Sequence, residues 1–114
     1  MAMVRERIAS AVRNEVYLVN LDPTVGHEIK KSRPCIVVSP DEMNVLNTVI
    51  IAPMTTVLRD FPFRVDIHFG EKAGQVALDQ LRCVDKARLI KKLGVIDVVS
   101  ANEISKTLIE IFST

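Results

Sequence analysis

The side chains most able to bind a ligand or transfer a proton lie in a polar, turn-rich segment between Pro23 and Pro34. His27, Glu28 and Arg33 fall within seven positions of one another there. An imidazole or a carboxylate can transfer protons, and a guanidinium presents a fork of donors that matches phosphate oxygens. The two prolines bound the segment, so we expect a constrained loop that presents these groups to a ligand.

Arg33 stands directly before Pro34, at the mouth of an apolar run. A proline holds the residue before it in an extended conformation, so the side chain of Arg33 should be aimed by a rigid element. In that position a guanidinium could stabilise charge that builds on a phosphorane-like transition state. The alternative is a surface ion pair with Glu28 or Asp22, and position alone leaves both interpretations open.

Two threonines form a second group of candidates. Thr55 and Thr56 follow Pro53, just past the third predicted strand. Hydroxyls at a strand end can donate to a phosphate without adding charge, although adjacent threonines in a turn more often satisfy backbone groups.

Asp79 and Gln80 interrupt an apolar run. The carboxylate must be hydrogen-bonded, turned to solvent or used chemically, and a β-bulge that re-aims both side chains is predicted. His27 and Glu28 are each competent general bases. Together these groups suit phosphodiester chemistry without a metal, because no spaced cluster of His, Asp or Glu offers the ligands of a zinc or two-metal site.

Hydrophobic periodicity predicts a small antiparallel barrel closed by one helix. Residues 63–69 alternate apolar and polar, which is typical of a half-buried strand, and residues 70–74 should form a turn. Ser100 and Glu103 form a capping-box pattern ahead of a helix whose apolar face carries Ile104, Leu108 and Ile111 or Phe112. The other predicted strands are residues 16–19, 35–38, 49–52, one strand of residues 75–78 and 81–84 that is broken by Asp79 and Gln80, and a last strand within 89–96.

Composition indicates one globular domain. The chain has 114 residues, 48% of them hydrophobic, and a formal charge of +1, so any anionic partner must be bound by a local patch. No apolar run is long enough to span a membrane and no signal-peptide core is present, so a cytoplasmic protein is expected. Cys35 and Cys83 are predicted to be small core residues. His68 is expected on the solvent-exposed face of its strand.

Several blocks strongly resemble the MazF/PemK (Kid) toxin family. The similarity covers the chain from about residue 13 to the C-terminal helix. It is carried by the opening residues 14–28 and 33–40, then by residues 53–56, 61–65 and 79–89. The ordered blocks with compatible spacing are far more specific than any one motif. We therefore interpret residues 14–114 as a MazF/PemK-like toxin domain, and residues 1–13 as an N-terminal extension that can include an expression remnant.

The resemblance implies a mainly β fold: an SH3-like β-barrel of the CcdB/Kid/PemK type, with a C-terminal α-helix packed on it. It implies a homodimer and a cognate MazE/PemI-like antitoxin. It also implies a ribosome-independent, metal-independent endoribonuclease without a cofactor, which cleaves single-stranded mRNA at short sequences. The products would be a 2′,3′-cyclic phosphate and a 5′-hydroxyl end.

The family's site residues can be placed on this chain by the resemblance. Arg33 resembles the family's catalytic arginine, and Thr55 the threonine that holds the scissile phosphate. The predicted catalytic set is Arg33, Thr55, Glu28, His27 and Asp79, and the predicted RNA contacts are Lys30, Lys31, Thr56, Phe61, Gln80 and Arg82.

One departure is notable, because Kid-like members have an arginine two residues before the aspartate and this chain has Ala77. The catalytic roles therefore resemble those in the MazF branch, which implies that Arg33 and Thr55 contribute most to catalysis. Two alternatives stay open: a CcdB-like poison that binds gyrase, and an inactive homologue that binds an antitoxin. The Gly-His-Glu, Arg-Pro and Pro-x-Thr blocks favour the nuclease.

Overall fold

The computed structural model describes residues 10–113. Within them the chain forms seven strands, two short 3-10 turns and one helix. The strands are β1 (Glu15–Asn20), β2 (Ser32–Val37), β3 (Thr48–Thr55), β4 (Arg64–Phe69), β5 (Lys72–Ala77), β6 (Arg82–Asp85) and β7 (Leu89–Val95). The turns are Leu78–Gln80 and Lys86–Arg88, and the helix is α1 (Val98–Phe112).

Strand β3 organises the sheet because it pairs with different partners along its length. The strand order is β4-β5-β3-β2-β1-β7, and every pairing is antiparallel. One edge of β3 pairs β6 over residues 48–51 and then β5 at Met54 and Thr55. The change of partner lets the sheet curl into a half-barrel. This confirms the predicted mainly β fold with a C-terminal helix.

The two faces of the curled sheet carry separate apolar clusters, as the period-2 alternation along each strand requires. On β2, Cys35 and Val37 enter one cluster, and Ile36 enters the other with Val38 just beyond the strand. Helix α1 covers the second cluster with Ile104, which is 2% exposed. The sheet is therefore a shared wall between two small cores.

The helix begins earlier than predicted. Asp97 is its N-cap: the carboxylate accepts a hydrogen bond from the Ser100 backbone N–H at 3.1 Å, so the predicted capping box at Ser100 is wrong. An aspartate caps well because its carboxylate also complements the positive end of the helix. The predicted apolar face is confirmed with Ile111 packed toward the core, whereas Phe112 is 72% exposed.

Three other details differ from expectation. Thr55 is the last residue of β3 rather than a residue beyond it, and the turn after β4 spans only Gly70 and Glu71 because Lys72 already belongs to β5. Cys83 is exposed, although Cys35 is buried as predicted. Cys83 faces outward because it neighbours Val84, which takes the inward position of the short strand β6.

The predicted N-terminal extension lies partly outside the described residues, which begin at residue 10. Ala11 is 4% exposed and belongs to the first cluster, and the Arg13 backbone N–H donates to Asp41 Oδ1 at 2.8 Å. Residues 11–13 are thus attached to the domain. No helix among residues 10–113 is long and apolar enough to cross a membrane.

A buried carboxylate ties the start of β1 to its neighbours. Glu15 accepts hydrogen bonds from the Val12 N–H at 2.7 Å and the Tyr17 hydroxyl at 3.0 Å, and it pairs with Lys92 at 2.5 Å. Burial opposes its ionisation, but Lys92 and these donors together lower the pKa of Glu15. Burial and the hydrogen bond to Glu15 raise the pKa of Tyr17 to about 12.

We predict that Tyr17 ionises in the folded protein at about pH 12, because its phenolate would be buried beside Glu15. Tyr17 is the single tyrosine of the sequence, so the ultraviolet absorbance of tyrosinate reports this group directly. Since its unfolded pKa is about 10, the stability that it contributes is intact below that pH and is lost as the pH rises toward 12. The chain in denaturant should titrate near 10, and a folded-state midpoint near 10 would contradict the prediction.

Candidate functional site

One open groove of about 670 Å³ collects most of the predicted site residues. Its walls come from the β1–β2 loop, the start of β2, the end of β3, the β3–β4 loop, the start of β4 and the turn after β5. The lining residues are His27, Glu28, Ile29, Lys30, Arg33, Thr55, Val57, Arg59, Phe61, Arg64, Asp79 and Gln80. Eight of the eleven residues predicted from sequence are in this set.

Arg33 is half-buried where β2 begins, and its Nε donates to the Lys30 carbonyl at 3.2 Å. Among residues 10–113 no carboxylate oxygen lies within 4.0 Å of its nitrogens, so the structure does not contain the ion pair with Glu28 or Asp22 that the sequence left open. The guanidinium is therefore oriented by a neutral acceptor and keeps its full charge available for an anion.

Thr55 lies on the neighbouring strand, across the groove floor from Arg33. Its Oγ1 accepts a hydrogen bond from the Val57 backbone N–H at 3.1 Å, which leaves the hydroxyl proton free to be donated. Gly74 on β5 lets the strands approach here, because a Cβ at that position would lie 2.7 Å from the Thr55 carbonyl oxygen. The sequence thus fixes the hydroxyl by a local turn and a close strand pairing.

The β1–β2 loop presents the two proton-transfer candidates. Glu28 accepts a hydrogen bond from the Val25 N–H at 2.6 Å through Oε1, and its own N–H donates to the Val25 carbonyl at 3.2 Å. Gly26 between them has φ +59°, a conformation that glycine adopts without strain. The carboxylate is held within this short turn, and His27 is exposed beside it.

Side chains from residues 80–88 hold this loop in place. Arg82 donates from Nη1 to the Leu21 carbonyl at 2.8 Å, and Arg88 donates to the Asp22 carbonyl at 2.6 Å. Gln80 Oε1 accepts from the Ile29 N–H at 2.7 Å. Arg82 and Gln80, both predicted to contact RNA, therefore have a structural contact with the loop.

Asp79 is engaged by a residue that sequence reasoning missed. Arg64 donates to it through two bonds, Nε to Oδ1 at 2.6 Å and Nη2 to Oδ2 at 3.1 Å. Arg64 lies opposite Ala77 in the β4–β5 register, two residues before the aspartate. The arginine that this chain lacks at position 77 is thus matched by one that reaches Asp79 from the adjacent strand. Only the strand register reveals the contact between Arg64 and Asp79, because the sequence alone predicts Arg64 to be a surface residue of an alternating strand.

The polar interruption at this point is not the predicted β-bulge. Residues Leu78–Gln80 form a 3-10 turn in which Leu78 is 2% exposed. The turn buries its apolar residue and leaves the two polar ones at the surface, so it re-aims both side chains without a bulge in the ladder.

Three predicted site residues lie outside this groove's lining. Thr56 borders an adjoining cavity of about 260 Å³ that shares Arg33 and Thr55 with the groove. Arg82 borders another of about 400 Å³, beside His27 and Asp79. The exposed Lys31 is on the loop, with φ +68°.

The described residues offer no group of three or more His, Cys, Asp or Glu side chains placed to hold a metal ion. Cys35 is no nucleophile at neutral pH, because burial raises its pKa to about 12 despite the opposing effect of Arg82. The reactive groups of the groove are therefore its carboxylates, imidazole, hydroxyl and guanidinium groups.

Comparison with known proteins gives consistent matches. The family described as PemK-like, MazF-like toxin of type II toxin-antitoxin system matches residues 12–112. The endoribonuclease toxin ChpB of Escherichia coli is 36% identical over 89 residues, covering 72% of this chain and 77% of ChpB. Endoribonuclease PemK of Escherichia coli is 36% identical over 99 residues, covering 81% and 74%.

Solved structures share the fold. MazF from Deinococcus radiodurans superposes with a TM-score of 0.81 at 24% identity, over 92% of this chain and 98% of that one. An endoribonuclease in complex with its cognate antitoxin, from a mycobacterial species, gives 0.75 at 24% identity over 88% and 92%. At these identities the agreement establishes the architecture.

We predict that Gln80→Ala loosens the β1–β2 loop at Ile29 without unfolding the domain, because the Ile29 N–H then loses its acceptor. Amide hydrogen exchange at Ile29 should accelerate, while the amides of β2 and β3 keep their protection. Gln80→Glu is the matched control, since its carboxylate can still accept that bond. Equal exchange at Ile29 in the wild type and Gln80→Ala would contradict the prediction.

Proposed function

The chain belongs to the PemK-like, MazF-like toxin family of type II toxin–antitoxin systems, and from this premise we propose that it is a sequence-specific endoribonuclease that acts on single-stranded mRNA. The observation that carries the proposal is the convergence of Arg33, Thr55 and Glu28 on one groove. The curated relatives ChpB and PemK are themselves named endoribonucleases. Its place of action is then the cytoplasm, where it needs no ribosome.

The reaction is attack of a ribose 2′-hydroxyl on the adjacent phosphorus. The new O2′–P bond forms as the P–O5′ bond breaks, which yields a 2′,3′-cyclic phosphate and a 5′-hydroxyl end. The 2′-hydroxyl proton goes to a general base, and the leaving O5′ takes up a proton. DNA is inert because it lacks the nucleophile.

Arg33 and Thr55 stabilise the phosphate as its negative charge grows. The guanidinium has no carboxylate partner among the described residues, and the Thr55 hydroxyl has a free proton, so both can donate to non-bridging oxygens. Removal of one such donor typically costs about 10²–10³ in rate. The phosphate is therefore held by protein donors, and we propose that no metal ion is required.

Glu28 or His27 takes the proton from the 2′-hydroxyl. Glu28 is the better-positioned candidate because its Val25 contact fixes it at the groove wall through one oxygen and leaves the other available. His27, exposed on the same loop, is the alternative. Asp79 is occupied by Arg64 at both oxygens, which makes it poorly suited to accept a proton from substrate.

The RNA contacts are proposed to surround this centre. Lys30 lines the groove with Gln80, and Lys31 and Thr56 lie just outside its lining. Phe61 is 53% exposed, which suits stacking on an unpaired base. Arg82 acts chiefly through the loop that it holds.

We propose a homodimer in which an apolar patch of α1 is covered. Val98, Val99, Ile109 and Phe112 are each between 68% and 75% exposed, which is unusual for one helix of a small domain. A second copy would bury this patch, and a small barrel benefits from the added burial.

The cognate antitoxin is proposed to inhibit by covering the groove. The groove and its rim carry Lys30, Lys31 and Arg33, so an acidic extended or helical segment is the complementary partner. Such a segment would exclude RNA by occupying the same cations.

The decisive experiment incubates purified protein with a long naked RNA in EDTA and maps the new 5′ ends by sequencing. We expect cuts at one short motif and at least about a 10²-fold loss of rate in Arg33→Ala, because a phosphate donor is removed. An RNA with one 2′-deoxy substitution at the cut site should resist cleavage.

Lys91→Ala is the matched control, because it removes an exposed cation on β7, away from the groove, and should cleave as the wild type does. Well-folded protein that leaves RNA intact would favour a gyrase-binding poison or an inactive homologue. Efficient cleavage of the deoxy-substituted RNA would refute the mechanism.

For the partners, sedimentation should give twice the 12.7 kDa chain mass for the wild type and Ile109→Leu, but a monomer for Ile109→Asp, because the charge opposes burial of the patch. A monomeric wild type would rule out the dimer.

Co-expressed antitoxin should bind the Lys30→Ala/Lys31→Ala variant more weakly than the wild type. Unchanged antitoxin affinity would rule out the charge-based inhibition.

A further inference from the structure

Arg64 lines the same groove as Arg33. Its contacts with Asp79 and Phe61 fix the position of its guanidinium group. We propose that Arg64 is a second phosphate-binding guanidinium of the site and that Asp79 is a positioning residue that holds it. The inference rests on the proposed endoribonuclease function and adds a residue to it. It also gives Asp79 a role other than general base.

The ion pair with Asp79 fixes the orientation of Arg64. Nε and Nη2 of Arg64 each meet a different oxygen of Asp79, at 2.6 and 3.1 Å. A two-point contact fixes the plane of the guanidinium as well as its position. Because the Arg64 side chain is 7% exposed and the Asp79 side chain 30%, the pair is shielded more than an ordinary surface ion pair.

The contact with Asp79 leaves part of the Arg64 guanidinium free for a ligand. The pairing uses one edge of the guanidinium, and Nη1 makes no hydrogen bond within residues 10–113. No buried side-chain nitrogen or oxygen in that range lacks a partner. Nη1 must therefore reach solvent, and it has two N–H donors to offer an incoming oxygen.

An aromatic ring supports one face of the Arg64 guanidinium. The Phe61 ring lies 5.7 Å from the Arg64 guanidinium carbon, within cation–π range. The loop that carries Phe61 is tied down by Gln75, whose side chain bonds both the N–H and the carbonyl of Arg59 at 2.9 and 3.0 Å. Arg64 is thus held by Asp79 at one edge and by Phe61 over one face.

The chemistry that suits such a group is a phosphate of the RNA strand. A rigid guanidinium with two free donors matches two phosphate oxygens. If it contacts the scissile phosphate it helps Arg33 to stabilise the transition state, and if it contacts a neighbouring phosphate it sets the strand's register. In either case Asp79 acts through Arg64 rather than on the substrate.

The test uses the purified protein and an RNA oligonucleotide that carries the mapped cut site, with Arg64→Ala, Arg64→Lys and Asp79→Asn. We expect Arg64→Ala to reduce kcat/KM about 10²-fold, as for the loss of one charge-stabilising donor. Arg64→Lys should be intermediate, because it keeps the charge but cannot make the two-point contact. If Arg64→Ala does not fold, Arg64→Lys is read alone against the wild type.

Two readouts separate a phosphate contact from a merely structural pair. With the uncleaved 2′-deoxy analogue, the slope of log affinity against log salt should decrease by about 0.7 in Arg64→Ala, and by nothing in Lys91→Ala. Asp79→Asn should lower activity, because an amide has one acceptor oxygen and loses one of the two bonds from Arg64. The acidic limb of the pH–rate profile should be kept, because a positioning residue transfers no proton. A general base would lose that limb.

Wild-type cleavage with an unchanged rate or an unchanged salt slope in Arg64→Ala overturns the role of Arg64. Loss of the acidic limb in Asp79→Asn overturns the positioning role and makes Asp79 the base. If the wild type itself does not cut RNA, the proposed function fails first, so that failure is distinguishable from the failure of this inference.

Discussion

Burial of Leu78 is the constraint on which two contacts at the edge of the groove depend. The side chain packs in the cluster beneath α1, and loss of a buried leucine side chain typically costs about 2–5 kcal/mol. Its burial holds the 3-10 turn, whose next two residues face outward. Asp79 reaches Arg64 on β4, and Gln80 reaches the N–H of Ile29 on the β1–β2 loop. An apolar residue thus places the two polar side chains that hold Arg64 and the β1–β2 loop.

The electrostatics of the groove differ from those of the whole chain. The molecule is nearly neutral, but the groove gathers four cationic side chains, Lys30, Arg33, Arg59 and Arg64, against two carboxylates, Glu28 and Asp79. Since Asp79 is paired with Arg64, the excess positive charge is left near Arg33. A local field of this kind attracts a polyanion without the nonspecific binding that a strongly basic protein would show.

Particular residues show where sequence reasoning succeeded. The strand that alternates over residues 63–69, the strands near residues 16, 35 and 49, and the amphipathic helix all follow from short-range periodicity and were confirmed. Competing local signals caused the errors. The N-cap of the helix is Asp97 and not Ser100. In β6 the inward position is taken by Val84 and not by Cys83. A side-chain hydrogen bond decided the first case, and burial of Val84 decided the second.

The sequence by itself determined the family, the strand pattern and the chemical identity of the candidate groups, because motifs and periodicity are written in residues close together along the chain. The tertiary structure decided their partners. Arg64 meets Asp79 across β4 and β5, Gln80 meets the loop fifty-one residues earlier, and Gly74 admits the Thr55 carbonyl. Strand register and loop closure set these contacts, and both depend on how distant segments share one core.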